Sequence, residues 1–180
     1  MRGGADKPVR PEAGPYPKAR AGSLKPPLGS GRPPDGRRER TRMHHTPPHW
    51  VGDGSVHFIT LCCTPRGRNQ LCHPAIAESL FAAARHYHEH HRWYLRLMLL
   101  MPDHLHALVA PAPTEFLHKL IGTWKSYVTK AAGVEWQRNF FDHRLRSDEG
   151  WDEKAAYIRA NPARAGLIDA DGVWPYQIQH

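Results

Sequence analysis

Leu99-Leu100-Met101-Pro102-Asp103-His104-Leu105-His106-Ala107-Leu108-Val109-Ala110 reads as the end of one strand, a two-residue connection and the next strand entire. With the two-residue period of an extended chain, His104 and His106 point to one face while Leu105 and Ala107 point to the other. Two neutral imidazoles at that spacing can reach one divalent cation without backbone distortion, so the pair makes half of a metal site. The competing interpretation is two half-exposed histidines on an amphipathic strand. The flanking sequence has to choose between them.

Upstream, Trp93 to Met101 is the strand that the Pro102-Asp103 connection joins to His104 to Ala110. Before it, Ile76, Leu80, Phe81, Ala84 and Tyr87 recur at helical steps from Pro74 to about His91, with Pro74 suited to the first turn. The histidines at the end of that helix, His86, His88, His90 and His91, lie on several faces and read as a solvated terminus. Val56 to Cys63, rich in β-branched and aromatic residues and ended by Pro65-Arg66-Gly67, is a first strand. Downstream, Pro111-Ala112-Pro113 ends the histidine strand. Thr114 is an N-cap candidate with Glu115 in the first turn, and the helix that follows runs to Gly133 as C-terminal cap. Along it Leu117, Leu120, Trp124, Tyr127 and Ala131 form one stripe, which predicts that Tyr127 faces the sheet. Trp136 to about Arg146 is a fourth extended segment, Asp152 to Ala160 a short helix stopped at Asn161-Pro162, and Trp174-Pro175-Tyr176 a loop or lid with aromatic anchors.

Strand, helix, strand, strand, helix, strand is the split-βαβ pattern. The expected fold is therefore α+β: a ferredoxin-like antiparallel sheet with helices on one face and a C-terminal helical appendage. That topology would lay the helix carrying Tyr127 over the strand carrying His104 and His106.

Charge divides the 180 residues in two. Residues 1–50 hold 11 Lys or Arg against 4 Asp or Glu, a net of +7 out of +8 for the chain, together with ten of the 17 prolines. Such a segment cannot bury enough apolar surface to offset the entropy of ordering, so residues 1–50 are expected to be a disordered basic tail and residues 51–180 the folded domain. A basic arm attracts phosphate backbone without reading sequence. An over-extended start is the alternative origin of this leader, with Met43 available. Cys62, Cys63 and Cys72 have no ligand-like spacing and suggest reduced thiols. Neither a membrane-spanning run nor a secretory leader is legible, so the expected location is cytoplasmic, associated with the nucleoid.

A tyrosine beside a metal-binding histidine pair suits the cutting of a phosphodiester without water. The phenol, with an ordinary pKa of about 10, must lose its proton to attack, and a cation can polarise the phosphate and stabilise the leaving oxygen.

At these residues the chain resembles a known family. Met101-Pro102-Asp103-His104-Leu105-His106 is similar to the His-hydrophobe-His (HUH) motif of the IS200/IS605-type single-tyrosine transposases, and Trp124-Lys125-Ser126-Tyr127 to their nucleophile helix. Trp136 to Glu149, and then Tyr157-Ile158-Arg159-Ala160-Asn161-Pro162-Ala163-Arg164-Ala165-Gly166-Leu167, resemble the REP-associated tyrosine transposases. The resemblance implies an HUH endonuclease domain that cleaves and rejoins hairpin-containing single-stranded DNA through a 5′-phosphotyrosine. It implies Mg²⁺ or Mn²⁺ on His104 and His106, Tyr127 as nucleophile, and a monomer or homodimer. In the transposon-borne relatives a polar third ligand, often Gln, follows the tyrosine by one helical turn. Here that position is Ala131, which leaves Asp142 and His143 as candidates for the third ligand. Lys125, Lys130, Arg138, Arg144 and Arg146 are the expected phosphate contacts. The alternatives are a non-cleaving protein that recognises palindromic DNA, for which Ala131 speaks, and a metal-dependent phosphodiester hydrolase in which Tyr127 only packs.

Overall fold

The computed structural model describes residues 50–51, 55–145 and 150–180; the basic segment 1–49 and Arg146 lie outside them. The order is β1 (His57–Cys62), α1 (Pro74–Glu89), β2 (Trp93–Met101), β3 (His104–Pro111), α2 (Leu117–Ala132), β4 (Phe141–Arg144), α3 (Trp151–Arg159), α4 (Asn161–Arg164) and β5 (Gln177–Gln179). The strands form one antiparallel sheet in the order β4-β1-β3-β2-β5. This is the expected βαββαβ arrangement plus an additional edge strand. The sequence predicts a loop or lid at Trp174-Pro175-Tyr176. Instead Trp174 Nε1–H donates to the Leu100 carbonyl and the Leu100 N–H to the Tyr176 carbonyl, which leads the chain into β5 beside β2.

Alternation along the strands divides the apolar residues between two cores. Ile59, Leu61, Leu105, Ala107 and Val109 pack beneath α1 and α2, together with Trp93 and Trp124. Phe58, Leu97, Leu99, Leu108 and Ala110 face the other way and meet Ala155 and Ile158 of α3. The appended helix therefore covers the second face of the sheet. It is tied there by Arg96, which stacks on the Trp151 ring and reaches Asp152, and by a 2.6 Å hydrogen bond from Arg159 to the Gln179 side chain.

The buried residues of α2 are Leu120, Ile121, Trp124 and Val128. This stripe shares Leu120 and Trp124 with the predicted one but is rotated from it by roughly 35°, about a third of one residue step, so that Ile121 and Val128 replace Tyr127 and Ala131. Tyr127, which was expected to face the sheet, is 56% exposed. The cap at Gly133 is as expected, with φ at 69° in the left-handed region that glycine enters without penalty. The N-terminus is not: Phe116, not Thr114, is the cap residue, and Glu115 pairs with Arg92 at 2.7 Å.

Candidate nucleic-acid cleavage site

The Pro102-Asp103 connection is short enough that Met101 and His104 stand directly opposite each other. Asp103 is buried in it, and its carboxylate accepts the Gly67 N–H at 2.7 Å and the Arg66 guanidinium at 3.1 Å. His104 Nδ1 lies 2.7 Å from the other carboxylate oxygen. Burial alone would raise this carboxyl's pKa, but the His104 and Gly67 hydrogen bonds and the Arg66 charge hold it below the ordinary range. With Asp103 accepting from Nδ1–H, Nε2 is the ring nitrogen of His104 left to carry a ligand lone pair.

His106 is fixed in a parallel way from the neighbouring strand. Its opposite number on β1 is Thr60, whose hydroxyl lies 2.9 Å from His106 Nδ1. The ring stacks on Phe58, with centroids 5.5 Å apart, and meets the His104 ring edge-on at 4.9 Å. Burial, and after it the charges of His104 and Arg66, lowers its pKa to about 3, so the imidazole is neutral. When Nδ1–H donates to the Thr60 oxygen, the lone pair is again on Nε2. Imidazoles oriented through occupied Nδ1 atoms, with Nε2 available as ligand atoms, are what a divalent cation requires, so the pair fits a metal. Asp103, Thr60 and Phe58 were not recognised in the sequence as members of this group.

The histidines and Tyr127 are on opposite sides of the sheet. His104 and His106 share strand parity with Leu108 and Ala110, on the face covered by α3, whereas α2 packs on the other. The tyrosine on the histidine face is Tyr157, on α3, 47% exposed, with its ring 6.4 Å from Phe58. Phe58 thus touches both His106 and Tyr157. Lys154 Nζ lies 6.0 Å from the centroid of the Tyr157 ring and the Arg164 guanidinium 5.2 Å from it. One helical turn after Tyr157 stands Asn161, whose Nδ2 donates to the Tyr157 and Ile158 carbonyls.

The candidate third ligands fare differently. Asp142 lies opposite Ile59 and its carboxylate is 3.7 Å from His57 Nδ1, so it faces α1 and α2, away from the histidine pair. His143 is opposite Phe58 and shares the histidine face. Among the described residues no three His, Cys, Asp or Glu side chains come together to hold a metal ion, so His143 does not complete a cluster with His104 and His106.

The expected phosphate contacts are also dispersed. Lys125 donates to the carbonyls of Gln137 and Arg138 at 2.6 and 3.1 Å, stapling α2 to the segment before β4, and burial lowers its pKa. Lys130 is exposed in the last turn of α2, Arg138 is exposed, and Arg144 lies opposite His57 on the edge strand.

An antiparallel sheet thus presents an oriented His-x-His pair on the face covered by a helix that carries an exposed tyrosine. The model of the family "Transposase IS200 like" matches residues 51–158, and the chain belongs to that family. Within it, the chain is similar to the REP-associated tyrosine transposases. A Haemophilus influenzae protein assigned to that group is 23% identical over 145 residues, covering 71% of this chain and 81% of the relative. The solved structure of a REP-associated tyrosine transposase bound to a REP hairpin superimposes with a TM-score of 0.59 at 21% identity, over 70% of this chain and 77% of that one. Among the described residues no helix is long and apolar enough to cross a membrane.

Proposed function

We propose that this protein cleaves and rejoins hairpin-containing single-stranded DNA, with Tyr157, and not Tyr127, as the nucleophile. The observation that carries the reassignment is Phe58, whose ring contacts both His106 and Tyr157 while α2 packs on the opposite face. With Tyr157 in this role, the position one helical turn on is Asn161, a polar amide, where Tyr127 was followed by Ala131. Ala131 then no longer speaks for a non-cleaving protein. The hairpin substrate is inferred from the DNA named for the solved relative.

His104 and His106 would hold Mg²⁺ or Mn²⁺ through their Nε2 atoms, with the Asn161 side-chain oxygen as third protein ligand. A cation bound there would polarise the scissile phosphate and stabilise the departing 3′-oxygen. Tyr157 Oη attacks phosphorus and gives up its proton. The new bond is Oη–P, the bond broken is P–O3′, and the 3′-oxygen takes up a proton as it leaves. The ester bond is conserved as a 5′-phosphotyrosine, so a 3′-hydroxyl can reverse the step and rejoin DNA. Lys154 and Arg164, whose cations lie near the Tyr157 ring, would hold the non-bridging phosphate oxygens.

The test is adduct formation with hairpin-bearing single strands in Mg²⁺ or Mn²⁺. A covalent protein–DNA band that maps to the Tyr157 peptide is expected. An adduct on Tyr127 would overturn the assignment, and no adduct on any palindromic strand would favour a binding protein.

A further inference from the structure

A row of residues crosses the sheet level with the histidines. His106 on β3 stands opposite Thr60 on β1, and Thr60 opposite Phe141 on β4. Directly opposed residues of antiparallel strands project to the same face. The rings agree with this, since Phe58, which stacks on His106, meets Phe141 edge-on at 6.1 Å between centroids. Strand spacing puts Phe141 about 10 Å from His106 along the row, a distance that a short run of unstacked nucleotides bridges.

Phe141 is nonetheless 47% exposed, on an edge strand. It and Tyr157 are exposed aromatics on the histidine face, and Lys154 and Arg164 lie against the second of them. Aromatic faces interleaved with cations on one surface suit a single strand: the cations follow the phosphates and the rings receive bases. A phenylalanine offers no hydrogen bond, so what it can select is the presence and size of a base.

We infer that Phe141 is a specificity-determining residue of the reaction proposed above, stacking an unpaired base next to the phosphate that Tyr157 attacks. The inference rests on that reading. A purine at this position is favoured over a pyrimidine, and either over a missing base, because stacking grows with ring area.

The experiment uses the full chain carrying Tyr157→Phe, so that binding is read without turnover, and hairpin-bearing single strands with one 2-aminopurine moved stepwise through the unpaired flank. One position is expected to be quenched on binding. Phe141→Ala should abolish that quench and weaken binding about 5- to 150-fold, Phe141→Trp should keep both, and Phe141→Leu should lose the quench with an unchanged melting temperature. With an abasic site at the same position, Phe141→Ala should cost nothing further. A quench that survives Phe141→Ala, an equal loss on the abasic strand, or no quenched position in a protein that binds and, with Tyr157 intact, cleaves, would each overturn the inference alone. Failure to bind any hairpin strand would overturn the proposed function and this inference with it.

Discussion

The two faces of this sheet are built from the same strands and are closed to different degrees. Beneath α1 and α2 the contacts are closed and apolar, with Trp93, Trp124, Leu80, Leu95 and Leu105 almost fully buried. Beneath α3 the apolar layer is interrupted by Thr60 and His106, and it ends in Phe141 and Tyr157, each about half exposed. One residue of register separates the two sets. On the function proposed above, stability and chemistry divide by strand parity, so a helix's side of the sheet limits which role its residues can take.

The sharpest way to break this division is a pair of single-atom changes. Tyr157→Phe should reduce adduct formation to background while leaving melting temperature and hairpin affinity as they were. Tyr127→Phe should change none of the three, because Tyr127 is exposed on a helix that packs on the face opposite the histidines. Gel analysis of covalent adducts alongside thermal melts reads both, and the reverse pattern would restore the tyrosine that the sequence favoured.

The sequence misplaces Tyr127 relative to the histidines for a definable reason. Strand periodicity is reliable where apolar and polar residues alternate, and the strand that carries His104 and His106 on one face is where alternation puts it. For α2, two apolar stripes compete. Leu120, Ile121, Trp124 and Val128 make the more apolar one, and that signal was available. Neither stripe says which side of the sheet the helix will cover, since that follows from the long-range pairing of β1 with β3 and β4. The short α3 buries only Ala155 and Ile158, too few to announce itself as a sheet-covering helix. On the assignment proposed above, Asn161, one turn after Tyr157, is the local clue in the sequence.

The closed face should pay in stability for what it lacks in chemistry. Trp124→Ala removes a fully buried side chain and is expected to destabilise the fold by about 3–5 kcal/mol, read by denaturant titration. Protein that remains folded at low temperature should retain its cation affinity. On the open face, Thr60→Val keeps the shape and deletes the hydroxyl that holds His106 Nδ1. It is expected to raise the Mg²⁺ or Mn²⁺ concentration needed for half-maximal cleavage about 10- to 100-fold. Comparable metal dependence in Thr60→Val and wild type would mean that His106 is oriented by packing on Phe58 alone.

The smallest expected effect tests the division where it is least obvious, at Lys125. A basic residue two positions from a tyrosine suggests phosphate binding, yet its ammonium donates to the Gln137 and Arg138 carbonyls on the structural side. Lys125→Met keeps the aliphatic stem and removes those bonds. The expected cost is about 1–2 kcal/mol of stability, with the slope of log affinity for single-stranded DNA against log salt unchanged. Arg164→Met, beside Tyr157, should do the opposite: it should leave the melt alone and reduce the slope by about 0.7, the contribution of one phosphate contact on a single strand. If the two variants exchanged these signatures, DNA would lie along α2 and the histidine face would not be where the strand is held.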